Sequence, residues 1–212
     1  MKTGLQVPSF TWPGGDAAIG PTLARIAETA DSVGFESLWV MDHFFQIRGV
    51  GKPEEPMLEG WTALGFMAAH TRKATLGLMV GGIHYRQAAL WAKAATTLDV
   101  LSGGRAYLGI GAAWNEEESH GLGFPMPPLG VRFEMLEETL QIVQSMWQGE
   151  RGSGEAFHGR HYQADRLLNL YLYVATGSGL EARVCSRNGI YTDWNFGKSV
   201  ITGRCRKGGA LR

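Results

Sequence analysis

Apolar residues fall in short unbroken runs, separated by longer stretches in which they recur every three or four positions. The runs are "TGLQVPSF" (3–10), "SLWVMDHF" (37–44), "LGLMVGGIHYR" (76–86) and "AYLGIGAAW" (106–114). Their length and their bounding glycines and prolines read as strands. Four helices are predicted between and after them: 21–33, 58–70, 87–102 and 131–149. Leu23, Ile26, Ala27, Ala30 and Val33 share one face of the first; Trp61, Leu64 and Ala68 one face of the second; Phe133, Leu136, Leu140, Val143 and Trp147 one face of the fourth. Pro21 suits a first helical turn, Gly34 lies just past an end, and Ser102-Gly103-Gly104 closes the third helix.

Strands that are apolar throughout, rather than alternating, imply burial on both faces and hence a parallel α/β sheet. A doubly wound sheet and part of a (β/α)8 barrel both fit this pattern. Both place function at the carboxyl ends of the strands. Those ends carry Ser9-Phe10-Thr11-Trp12, Met41-Asp42-His43-Phe44, Gly81-Gly82-Ile83-His84-Tyr85, and Gly109-Ile110-Gly111-Ala112-Ala113-Trp114-Asn115. Aromatic surfaces, small residues and a few polar groups suit a flat conjugated cofactor. Asp42-His43 reads equally well as a functional pair or as a loop pair. Glu116, Glu117 and Glu118 open a helical segment, where carboxylates meet the positive end of the dipole. Trp12, Trp61 and Trp91 read as core. "GIGAAW" lacks the third glycine of a dinucleotide fingerprint, and no HExxH, P-loop, GxSxG or Cys/His cluster supports metal, phosphoryl-transfer or serine-nucleophile chemistry.

Composition narrows the class. The 212 residues are 44% hydrophobic and 19% charged with a net charge of zero, so nothing draws the chain to nucleic acid or an anionic membrane. No apolar run reaches membrane-spanning length, and the first residues do not read as a signal peptide. Cys185 and Cys205 lack metal or redox spacing, and a cytoplasmic, reduced protein is expected. Charge is uneven: residues 1–170 hold 13 Lys/Arg and 18 Asp/Glu, residues 171–212 hold 7 and 2.

Gly81-Gly82 is the oddity, because glycine inside a core strand costs backbone entropy and packing. Here the motifs matter as a set. "GLQVPSFTW", "AETADSVGFESLWVMDHFF", "LGLMVGGIHYR", "WAKAATTLDVLSGGRAYLGIGAAWNEEESHGLGFPMPP" and "RFEMLEETLQIVQSMWQG" together resemble the luciferase-like monooxygenase family. Within it the chain is most similar to deazaflavin (coenzyme F-420)-dependent oxidoreductases of actinobacterial type, over residues 1 to about 166. The resemblance implies a (β/α)8 barrel of TIM type, of which the first four or five βα units are present. It implies a non-prolyl cis peptide in a third-strand bulge behind the cofactor ring, matched here by Gly82-Ile83. It implies a catalytic role for His43 beside the hydride-transferring carbon. Asp42 would bond the ring system or hold His43, and Gly111, Ala112 and Ala113 would lie along the cofactor's chain or phosphate. The implied cofactor is coenzyme F-420, with flavin mononucleotide (FMN) as the alternative, and the implied substrate is a small organic molecule reached past the loop at 43–60. Full-length relatives are expected to be homo-oligomers.

Two units are therefore expected: a luciferase-like part at 1–166 and a divergent tail at 167–212, with strand 5 at 170–179 followed by irregular chain. The tail's basic composition and lack of a helical apolar face suggest a truncated or frame-shifted reading. Such a chain would be poorly stable and bind cofactor weakly. Three functions remain: a deazaflavin-dependent oxidoreductase, an FMN-dependent monooxygenase, and an inactive fragment.

Overall fold

The structure, a computed structural model, describes residues 2–148 and 151–169 and the backbone of residues 181–185 and 191–195. In chain order the elements are β1 (Gly4–Val7), α1 (Ile19–Ser32), β2 (Ser37–Val40), α2 (Gly60–Ala69), β3 (Thr75–Leu78), β4 (Gly81–Gly82), α3 (Ala88–Ser102), β5 (Ala106–Gly111), α4 (Glu116–Gly121), α5 (Leu129–Met146), β6 (Phe157–His158), β7 (Gln163–Ala164), β8 (Glu181–Cys185) and β9 (Tyr191–Asn195). Single 3-10 turns cover Asp16–Ala18 and Ile83–Tyr85.

The main sheet runs β1-β2-β3-β5-β8-β9, with β4 beside β5. β1, β2, β3, β5 and β8 are mutually parallel, and β9 returns antiparallel on β8. β6 and β7 form a separate antiparallel hairpin. The α/β class and the parallel sheet agree with the reading of the sequence. The segment at 170–179, expected as strand 5, lies outside the described residues; the fifth parallel strand described is Glu181–Cys185. "EARVC" and "YTDWN" have no helical face, but Val184, Tyr191, Thr192 and Trp194 are residues of high strand propensity.

The observed strands are shorter than the apolar runs. β2 stops at Val40, yet Met41 and Asp42 remain buried, and β4 gives way to a helical turn whose Ile83, His84 and Tyr85 are all buried. An apolar run reports burial; it does not report extended backbone. The core lies between the sheet and α1, α2, α3 and α5. Leu38, Leu76, Leu78, Leu108 and Ile110 come from the strands, and Leu64, Met67, Trp91, Ile142 and Val143 from the helices. α2 is capped by Glu59, whose carboxylate accepts from the Trp61 and Thr62 amides at 3.2 and 2.8 Å.

The glycine pair has a packing explanation. A Cβ on Gly81 would strike the indole of Trp91, which is fully buried, and a Cβ on Gly82 would sit 2.6 Å from the Tyr85 ring. Gly82 is extended (φ −84°, ψ 117°), pairs with Gly111, and gives its N–H to Asp42 Oδ2 at 3.2 Å. The cis peptide expected at Gly82-Ile83 is not there; that bond is trans. A non-prolyl cis bond occurs instead at Met79-Val80, between β3 and β4, where the chain leaves one ladder and joins the next.

The amino-end side of the sheet is closed by backbone capping. Arg105 donates to the carbonyls of Ala68, Thr71, Ala74 and Ser102, and Asp31 accepts the amides of Arg72, Lys73 and Ala74.

Two predictions follow from this packing. A Cβ at Gly109 would run into the Leu78 carbonyl oxygen, which is backbone and cannot swing aside. Gly109→Ala should cost about 1–3 kcal/mol in urea unfolding. Gly65→Ala, in the interior of α2 with nothing within 4 Å, should gain about 0.5–1 kcal/mol. Equal effects at the two positions would contradict the packing.

The second concerns His84. The Ser119 hydroxyl donates to the Asn115 carbonyl at 2.6 Å and so accepts from His84 Nε2–H at 2.7 Å. Burial, then the positive charge of Arg132, pull this imidazole down to about 4 against the opposing pull of Glu118. Between about pH 6.5 and 4 the unfolded chain takes up a proton here that the folded chain refuses. Stability is thus lost as pH falls through that window, by up to about 3 kcal/mol. His84→Gln should flatten the pH dependence of unfolding between pH 7 and 4.5; parallel curves for parent and variant would rule this out.

Candidate active site

The carboxyl ends of β2, β4 and β5 converge. Asp42, expected to bond the ring system or hold His43, makes its observed contacts with Arg86 and the Gly82 amide. Its side chain is fully buried and paired in two-fold fashion with Arg86, at 2.7 and 2.8 Å, while Arg86 also reaches Glu59 at 2.5 Å. Burial raises the Asp42 carboxyl against the pull of Arg86 and of the Gly82 amide. Burial alone would lower Arg86, but Asp42 and Glu59 raise it, and its guanidinium lies 4.7 Å over the Trp91 ring. This buried ion pair ties the end of β2 to β4 and to the start of α2.

His43 is held by a residue that reads in the sequence only as a helix-start charge. Glu118, in the first turn of α4, is completely buried. Its Oε2 lies 2.9 Å from His43 Nδ1 and also accepts from the Tyr85 hydroxyl; its Oε1 accepts from the Phe44 amide and, at 2.7 Å, from the Phe45 amide. Burial pushes this carboxyl up, but the donors from His43, Tyr85, Phe45 and Phe44 outweigh it and hold it below the usual range. Phe44, Tyr85 and Phe124 pack on one another with ring centroids 5.0–5.3 Å apart and screen the cluster from water. The Trp114 ring meets His43 edge-on at 5.5 Å. Glu116 and Glu117 do stay at the start of α4 as expected, and Glu117 pairs with Arg48 on the surface.

At the end of β5, Gly111 faces Gly82 across the ladder. Ala112 is buried, and Ala113 has a positive φ of 60°. Arg132, from the first turns of α5, is also buried. It donates to the Ala113 carbonyl at 3.1 Å, its Nε has no partner, and no carboxylate pairs with it among the described residues. A buried cation of this kind beside a loop of small residues can receive an anionic group. Ile83 is fully buried within the core, so its side chain is committed to packing. Trp91 is core, and Trp12 and Trp61 pack against it. The loop after β2 crosses the same ends: Gln46 bonds the Pro8 carbonyl at 3.0 Å, Glu55 accepts from Thr11 at 3.1 Å, and Arg48 grips Glu117 at 3.0 and 3.2 Å.

Glu118, Tyr85, Arg86 and Arg132 are the residues that pattern reading missed. A glutamate in an acidic helix start carries no mark of facing inward.

A sequence model described as luciferase-like monooxygenase matches residues 1–177. An F420-dependent glucose-6-phosphate dehydrogenase of Intrasporangium calvum is 32% identical over 186 residues, which cover 84% of this chain and 55% of that protein. Two solved structures share the fold at 22% identity. One is the oxygenating constituent of 3,6-diketocamphane monooxygenase from Pseudomonas putida in complex with FMN, at TM-score 0.69 over 89% of this chain and 52% of that one. The other is an F420-dependent secondary alcohol dehydrogenase in complex with an F420–acetone adduct, at TM-score 0.67 over 87% and 52%. The chain spans about half the length of the curated relatives it matches. With a family match over most of its residues, the chain belongs to the luciferase-like monooxygenase family.

Proposed function

We propose that the five parallel strands are barrel strands of a (β/α)8 oxidoreductase. Their carboxyl edge would bind a deazaflavin coenzyme for hydride transfer to or from a small organic substrate. The observation that carries this reading is Arg132. Its guanidinium is buried, donates to the Ala113 carbonyl at the end of β5, and has no carboxylate partner among the described residues. A cofactor with an anionic chain supplies the missing charge, and the small residues let that chain approach the backbone. Met79 and Trp114, 37% and 52% exposed, leave apolar surface open at the same strand ends. The F420-dependent dehydrogenases among the relatives favour the deazaflavin.

When bound, a deazaflavin accepts or returns a hydride. The chain's own groups handle the proton. His43 is the candidate catalytic residue: as a substrate hydroxyl becomes a carbonyl, its Nε2 takes the hydroxyl proton, and in the reverse direction it returns it. Asp42 acts at one remove, by holding the Gly82 amide and Arg86. The FMN-dependent monooxygenase is the second reading, supported by the FMN-bound structural relative, because a phosphate monoester would suit Arg132 equally.

Titrating the purified chain with coenzyme F-420 and with FMN, each followed by its own fluorescence, separates the readings. Saturable F-420 binding with FMN at least tenfold weaker is expected; the opposite order would favour the monooxygenase, and no binding of either would favour the inactive fragment. Arg132→Gln should weaken the preferred cofactor by about 10- to 100-fold, the loss of one charged contact. His43→Ala should leave cofactor affinity within a few-fold and slow hydride transfer about 10²–10⁴-fold. Unchanged turnover in that variant would remove His43 from the chemistry.

A further inference from the structure

We infer that Glu118 is the positioning residue of this site, and that its function is to fix which nitrogen of His43 carries the proton. The inference rests on the reading of His43 as the proton-handling group, but its test does not depend on any cofactor.

An ionised carboxylate only accepts. Glu118 already takes two backbone amides on Oε1 and the Tyr85 hydroxyl on Oε2, and the contact left to His43 is Nδ1 at 2.9 Å on Oε2. Four donors on a fully buried carboxylate keep it ionised and leave it no freedom to turn. Nδ1 of His43 must therefore be the N–H. In the neutral ring Nε2 is then a bare lone pair, and no group among the described residues occupies it. The edge-on contact with Trp114 fixes the plane of the ring. The His43 side chain is 12% exposed, so the ring has little freedom to adopt another pose.

The alternative is that Glu118 only staples the Phe44-Phe45 backbone to α4, with His43 an incidental neighbour. A staple would place no demand on the tautomer. Tyr85 makes the wider role more specific. It follows Gly82 by three residues, so one carboxylate locks the loop after β2 to the turn after β4.

The test is the tautomer itself. The intact chain, labelled with ¹⁵N-histidine, is studied by long-range ¹H–¹⁵N correlation at about pH 8.5, above the ordinary imidazole range. His43 is assigned among the six histidines by its loss in His43→Gln. The parent should show His43 as Nδ1–H, favoured by at least about tenfold, the worth of one charged hydrogen bond. In Glu118→Gln the amide can donate to Nδ1 as well as accept from it, so the ratio should fall towards unity. A parent whose His43 carries its proton on Nε2 overturns the inference. So does a folded Glu118→Gln with the parent's ratio. If Glu118→Gln does not fold, the parent spectrum alone decides. A failed cofactor titration alongside an Nδ1–H tautomer would count against the proposed function and leave this assignment standing.

Discussion

A carboxylate taken out of water must be repaid in hydrogen bonds, and Glu118 shows how far that requirement reaches. Its four donors come from two separate loops, the one after β2 and the turn after β4. Meeting its demand fixes the path of Phe44-Phe45, the pose of Tyr85 and the orientation of His43 together. The aromatic cover of Phe44, Tyr85 and Phe124 follows, because it packs on side chains whose backbone the carboxylate has already placed.

Asp42, Arg86 and Glu59 do related work one layer deeper. A buried ion pair is weak evidence for stability in itself, since desolvation offsets most of the Coulomb gain. Its geometry is the more informative part. A two-fold guanidinium–carboxylate contact tolerates little angular error, so it sets the registry between β2, β4 and the start of α2. The mouth is thus held by two acid centres with different partners, one fully compensated by a cation and one compensated by dipoles and a histidine. Among the described residues, Arg132 stands apart as a buried cation with no acid partner.

Much of the frame could be read from periodicity. Leu23, Ala27 and Ala30 on α1, and Leu64 and Ala68 on α2, are where their spacing put them, because a repeat of 3.6 residues records which face is buried. Strand ends were overextended, since Met41, Ile83 and Tyr85 are buried without being in strands. His43, Gly82 and Gly111 fell at the expected edge because parallel α/β folds place their sites there. Glu118 could not be recognised: its inward turn depends on partners 33 to 75 positions away in sequence. The misplaced cis bond has a similar origin. Glycine marks where packing is tight, and here the tightness comes from Trp91 and Tyr85.

The same sequence separations dictate an order of assembly. During synthesis the segment carrying His43 emerges about 75 residues before the carboxylate that orients it. Until α4 docks, the Phe44 and Phe45 amides and the Tyr85 hydroxyl have only water to bond. The parallel sheet of β1, β2 and β3 can form from neighbouring units, each closing a loop of a few tens of residues, but the site cannot. A nascent intermediate that stops before residue 116 lacks both the α5 side of the core and the carboxylate that orients His43. The hydrogen-bonded surroundings of His43 are thus completed in one step, with the docking of a six-residue helix.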